Sequence, residues 1–352
     1  MLVKLLLLLI NPLAYSMFLL SLAIGTTTTL LSHHWLLAWI GLEINTLAII
    51  PIITKIPHPR AIEAATKYFL TQATASIIVL FSALMNAWST GQWAITTTLD
   101  QTTIILTLAL MMKLGLAPLH FWLPEVLQGT SLFTGLIIST WQKIAPMTLL
   151  LQLTHHINIY AATSIGLLSI FIGGWNGINQ TQMRKILAFS SIGHLGWMML
   201  ILKFDPLLTE FNFILYVIMT TAMFLMLTST HATKLLDVSI LWAKTPMLVA
   251  ISMLTLLSLA GLPPLTGFMP KLMISMELVK QNMIIFVTLA MLASLLGLFF
   301  YLRLTYVMVM VTAPNTSTTN SLWRTTVKIN SLTALFNNLA IFSIMMTPTI
   351  IL

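Results

Sequence analysis

Long apolar runs separated by short polar interludes fill almost the whole chain. They fall at roughly 5–25, 35–54, 64–86, 101–122, 130–151, 161–179, 186–202, 211–230, 246–280, 283–311 and 330–352. Most match the ~20 residues that a helix needs to cross the hydrocarbon core of a bilayer. The period-2 alternation of a transmembrane barrel strand is missing. The pattern predicts an all-α polytopic membrane protein with about eleven transmembrane helices. The ninth run is overlong and interrupted by GLPPLTG at 261–267, and it reads as one broken helix. The first run, after Lys4, superficially resembles a signal peptide. It stays apolar through Tyr15 to Gly25 with no small-residue cleavage site, and reads as a retained helix.

The interludes give an orientation. Those after runs two, six, eight and ten carry Lys55 with Arg60, Arg184 with Lys185, Lys234 with Lys244, and Arg324 with Lys328, whereas 87–99 and 152–160 hold no lysine or arginine. An eleven-span count puts all four basic loops and Lys4 on one face, predicted to be the cytoplasmic or matrix side. Lys203 and Lys280 break the pattern, but each neighbours an acidic residue: Asp205 and Glu210 for the first, Glu277 for the second. The polar stretch 312–329 is expected to be a surface loop.

Taken as a single membrane domain, the runs divide into a first five-helix set (5–151), a second (161–311) and a terminal helix (330–352). The fourth member of each set is interrupted, by KLGLAP at 113–118 and by GLPPLTGFMPK at 261–271, and each interruption carries a lysine. Because five is odd, the second set must run inverted relative to the first. Paired, Gly/Pro-interrupted helices in inverted repeats are a transporter plan with ion sites near the midplane. A break frees backbone amides and carbonyls, which survive at membrane depth only beside protein or water.

Composition agrees and excludes. The chain is 58% hydrophobic and 7% charged, with mean hydropathy +0.97, outside the range of soluble domains. Its eight excess positive charges are spread singly between apolar runs, which fits a membrane-sidedness bias and not nucleic acid. Cysteine is absent, so disulfides, thiolate metal sites and iron–sulfur ligation by this chain are excluded. Neither a phosphate-cradling glycine loop nor a nucleophile–base constellation is found. His33–His34 and His155–His156 are adjacent pairs, and helix neighbours point about 100° apart, so no metal is assigned. Gly173 and Gly177 have the spacing of close helix contacts. The 23 methionines and 10 tryptophans are read as lipid-facing and interfacial.

The candidate chemistry is therefore charge inside the membrane. Lys113 lies near the middle of run four and Glu43 near the middle of run two. A charge at that depth costs roughly 2.5–3.5 kcal/mol on insertion scales. Glu43 is read as a carboxylate paired with Lys113, the alternative being a structural hydrogen bond to a neighbouring helix. A buried lysine exchanges its proton readily. Lys143 lies deeper than a loop, with snorkelling to the interface as its alternative. Lys271 is deep if run nine is a single crossing, and Lys67, about one turn into run three, is a possible proton relay or an interfacial lysine. His194 and His120 are possible proton relays, or packing histidines.

Six stretches carry a resemblance: GLEIN at 41–45, EAATKYFLTQATAS at 63–76, KLGLAPLHFWLPEVLQG at 113–129, WQKIAP at 141–146, NQTQMRKILAFSSIGHLGWM at 179–198 and GLPPLTGFMPK at 261–271. They resemble the antiporter-like subunits of the membrane arm of respiratory complex I. The likeness runs from Asn11 onward; residues 1–10 look unlike the usual start. It implies a multi-pass subunit of the mitochondrial inner membrane that shares in proton translocation coupled to electron transfer from NADH to ubiquinone. Glu43, Lys113, Lys143 and Lys271 match the family's midplane chain of charges. The resemblance also implies other membrane-arm subunits, including other antiporter-like chains, and lipids as partners, with no nucleic acid. FMN, iron–sulfur clusters and ubiquinone are expected elsewhere in the complex, and no cofactor on this chain. Two other readings use the same charges: a cation/proton antiporter subunit outside respiration, and a purely structural subunit whose lysines bind lipid head groups.

Overall fold

The structure, a computed structural model, describes residues 12–55, 58–310 and 331–343. Lys4, the polar stretch 312–329 with Arg324 and Lys328, and the ends of the first and last runs lie outside the described residues. The chain divides into two compact units, Met1–Ala162 and Thr163–Leu352. Among the described residues every regular element is a helix. The extended pairing consists of two isolated bridges, His34 with Ala94 and Gln182 with Lys234.

The first unit holds α1 (Pro12–Leu30), α2 (Trp35–Ile53), α3 (Pro59–Thr90), α4 (Asp100–Leu114), α5 (Trp122–Gly129), α6 (Leu132–Ser139) and α7 (Trp141–Gln152). α1 and α2 pack closely because glycine is present at the crossing. A Cβ on Gly25 would meet Asn45 Oδ1 at 2.5 Å, and one on Gly41 would meet Thr28 Oγ1 at 2.5 Å. α3 is longer than the apolar run predicts. Pro59 pre-sets its first turn and His58 accepts the Arg60 amide at 3.1 Å, so Lys67 stands two turns inside the helix instead of one.

The second unit holds α9 (Met183–Ile201), α10 (Pro206–Thr230), α11 (Leu235–Lys244), α12 (Pro246–Ala260), α13 (Phe268–Lys280), α14 (Ile284–Met310) and α15 (Ser331–Phe342); α8 (Ile159–Gly177) begins just before it. Gly173 approaches the α9 backbone, where its Cβ would lie 2.8 Å from Phe189 O, and Gly177 meets Phe300 of α14. Both are packing glycines, on different neighbours. The order of the second unit parallels the first. α1 and α8 have 19 residues each, as do α2 and α9, and α4 and α12 have 15 each. α10, like α3, opens on a proline, capped by Asp205 accepting from the Leu208 amide at 3.1 Å.

Three expectations are corrected. Run five is not one helix: the chain breaks at Thr140 (φ −115°, ψ −68°) between α6 and α7. The interlude after run eight contains α11, whose start is held by Asp237 accepting the Lys234 amide at 2.9 Å and the Thr233 amide at 3.1 Å. Many tryptophans and methionines are core residues: Trp35, Trp197, Met198, Met219 and Met223 are buried, while Trp88 and Trp175 are exposed. Among the described residues six helices are each long and apolar enough to cross a membrane: α1, α2, α3, α8, α10 and α14. Runs five and nine are each made of two shorter helices, and run four of α4 followed by the non-helical segment 115–121.

Candidate functional site

In the first unit the site is organised by the end of α4. The helix stops at Gly115, whose left-handed φ of 79° only glycine adopts without strain. The Gly115 amide donates to Met111 O and Met112 O. Carbonyls freed by the break are caught by side chains: Trp122 Nε1 donates to Met112 O at 3.1 Å, and Gln72 Nε2 of α3 to Lys113 O at 3.4 Å. Lys113, in the last turn of α4, is buried, and its Nζ donates to Gln72 O at 3.4 Å. The ammonium thus sits at the break, fastened to the neighbouring helix by a reciprocal pair of bonds.

Glu43 of α2 is the charge whose field reaches Lys113, and it also reaches the buried phenol of Tyr68. One carboxylate oxygen, Oε2, is buried without a hydrogen-bond partner. The two groups do not form a contact ion pair; the ion pairs among the described residues are Lys67 with Glu63 and Glu125, and Lys280 with Glu277. Tyr68 packs edge-on against Trp122 at 5.9 Å. Lys143 stands in the first turn of α7, directly after the break at Thr140, and is 2% exposed. His120 lies in the segment between α4 and α5. Its Nδ1 is 3.3 Å from Pro118 O and its buried Nε2 has no hydrogen-bond partner.

In the second unit α12 ends in the same motif. Gly261 has φ 83° and its amide donates to Leu257 O and Ser258 O. Here the lysine follows the break: Lys271 Nζ, from α13, donates to Ala260 O at 2.8 Å and so caps α12. A Cβ on Gly261 would lie 2.9 Å from that Nζ, and one on Gly267 would collide with Ser258 O. His194 of α9 is buried, 5.8 Å ring to ring from Tyr216 of α10.

Of the sequence-predicted residues, the first unit sets Glu43 in the electrostatic reach of Lys113. Lys67 stands apart from this buried set. It is part exposed and held between Glu63 at 2.6 Å and Glu125 at 2.7 Å. Sequence reasoning missed Gln72, Tyr68 and Glu125. Glu125 was traceable by counting from the breaks: it lies ten residues after Gly115, as Lys271 lies ten after Gly261.

The fold and its broken helices define a class. Residues 32–297 match the family described as NADH:quinone oxidoreductase/Mrp antiporter, transmembrane, and the chain belongs to it. Within that family it stands with the NADH-ubiquinone oxidoreductase chain 2 proteins. Residues 298–351 match the NADH dehydrogenase subunit 2 C-terminus. The chain is 64% identical to NADH-ubiquinone oxidoreductase chain 2 of Aquarana catesbeiana, over 97% of this chain and 99% of that one. It is 55% identical to the same protein of Gallus gallus, over 97% and 99%. Among solved structures, a chain of respiratory complex I from Thermus thermophilus superposes with TM-score 0.82 at 26% identity, covering 95% of this chain and 79% of that one. A chain of the Mrp complex from Dietzia shares the fold, with TM-score 0.78 at 19% identity over 85% and 61%.

Proposed function

We infer that this chain is a core membrane-arm subunit of respiratory complex I and takes part in moving protons across the mitochondrial inner membrane as electrons pass from NADH to ubiquinone. It belongs to the enzyme as a subunit of a proton-translocating NADH:ubiquinone reductase and carries no redox centre of its own. FMN, iron–sulfur clusters and ubiquinone are assigned to other subunits, and other antiporter-like chains and lipids are its neighbours.

The observation that carries the reading is Lys113: a buried ammonium at a helix break, within the field of Glu43 but not in contact with it. Such a pair has two states. With the carboxylate charged, the lysine holds its proton; a change at Glu43 releases it toward Lys143. Lys271 is the exit-side group. We read the two units as inverted repeats within eleven crossings. Equal helix lengths, the shared left-handed glycines and the paired bridges support this. His120 and His194 are assigned as relays.

Replacing Lys113 with alanine is expected to lower the protons moved per NADH oxidised in reconstituted vesicles, with the complex still assembled. Full pumping by an assembled Lys113→Ala complex would sink the reading. A cation/proton antiporter outside respiration is disfavoured by the match of 298–351 to the NADH dehydrogenase subunit 2 C-terminus.

A further inference from the structure

The second unit contains a cavity of about 40 Å³ beside Lys271. Its wall includes His194 and Ser190 of α9, Tyr301 of α14 and four glycines: Gly173, Gly174, Gly193 and Gly297. Two of these glycines have a packing reason. A Cβ on Gly173 would lie 2.9 Å from Gly193 N, and one on Gly174 would lie 2.7 Å from Leu296 Cβ. The other two have none. A Cβ on Gly193 would meet nothing within 4 Å, and one on Gly297 would meet only Phe300 Cε1 at 3.9 Å. Both lie inside helices, where glycine is a net loss of stability against alanine, and neither has a positive φ.

What the missing methyls leave is space, and the space is beside polar groups. Tyr301 is 3% exposed and its hydroxyl faces that of Ser190, whose own donor goes to Leu187 O at 2.8 Å, so the phenol oxygen keeps acceptor capacity that a water can use. A water needs roughly 10–15 Å³ and two or more polar partners, so this cavity has room for more than one.

We propose that Gly193 and Gly297 are glycines in order to hold open a water site beside Lys271, and that the supply of protons to Lys271 depends on that space. The ligand is ordered water, hydrogen-bonded to the Tyr301 hydroxyl and the Lys271 ammonium. Gly193 and Gly297 act as positioning residues: they touch no reacting atom and work by what they leave out. The inference rests on Lys271 belonging to the proton path.

The test is Gly193→Ala, Gly297→Ala and the double variant in the assembled complex, with Lys271→Ala alongside. Protons moved per NADH and thermal stability are measured, and a high-resolution cryo-electron microscopy map is examined for water density in the cavity. The expected result is normal assembly, thermal stability at or above the parent, fewer protons per NADH, and loss of that density, with the double variant falling to the level of Lys271→Ala. Normal pumping by the double variant, with Lys271→Ala impaired, overturns the inference and leaves the reading of Lys271 intact. Normal pumping by both overturns the two together. Failure of Gly193→Ala to assemble also counts against it, since the glycine would then be a packing residue.

Discussion

A lysine that is 2% exposed inside an apolar bundle, as Lys143 is, serves stability poorly. Lys143→Met keeps the length of the side chain and removes the charge. The expected outcome is an assembled complex that moves fewer protons per NADH. Loss of assembly would make Lys143 a structural donor. Gln72→Leu removes a neutral donor. It leaves the carbonyl of Lys113 without its donor, at a cost of about 1–3 kcal/mol, and should lower the inactivation midpoint; an unchanged midpoint would show that the bond contributes nothing. These residues also mark how far the site was legible in the sequence. Glu43, Lys113, Lys143 and Lys271 stand out because a formal charge in an apolar run is expensive. Gln72 and Tyr301 do not, because neutral polar side chains are cheap there, and only geometry shows which of them faces a lysine or a cavity.

At the scale of elements the breaks in runs four and nine were readable because glycine and proline announce them, and the left-handed glycines at those two breaks give a graded test. Gly115→Ala forces a side chain into a left-handed backbone, at about 1–2 kcal/mol. Gly261→Ala incurs the same strain and also places Cβ 2.9 Å from Lys271 Nζ. The second variant should therefore lose more thermal stability than the first. Equal losses would mean that Lys271 is free to move away from the α12 terminus. The break at Thr140 was not readable: no glycine marks it, and the nearest proline, Pro146, lies inside α7 and not at the break. α11 was hidden because its apolar positions, Leu235, Leu236, Val238 and Leu241 among them, make a run too short to cross a membrane between Lys234 and Lys244, although Asp237 at its third position is an N-terminal signal. Backbone amides of Lys234 and Thr233 hold the Asp237 carboxyl below its ordinary value of 3.8. A lowered carboxyl contributes stability that is present above the unfolded value and lost as pH falls through the folded one. Hydrogen exchange at the start of α11 should be flat near neutrality and rise relative to intrinsic rates only below about pH 4. Fraying that begins well above that pH would assign the cap to another group.

At the scale of the whole molecule, the question is whether the two units handle protons in series or in parallel. Each carries its own break, its own left-handed glycine and its own lysine, which suits two independent paths as well as one shared path. The lysines are not placed alike, however. Lys113 precedes its break, whereas Lys271 follows its own, and the slot of Lys271 is filled in the first unit by Glu125, tied to Lys67. Two complete and independent paths would be expected to keep the same group in the same slot. The divergence argues that the units supply different stages of one path. Residues acting in one sequence give non-additive losses. Lys113→Ala combined with Lys271→Ala should therefore pump no worse than the poorer single variant, measured as protons per NADH at equal rates of NADH oxidation. If each single variant removes part of the chain's share and the double variant removes the sum, the paths are parallel, and the assignment of Lys271 as the exit for protons from Lys113 fails.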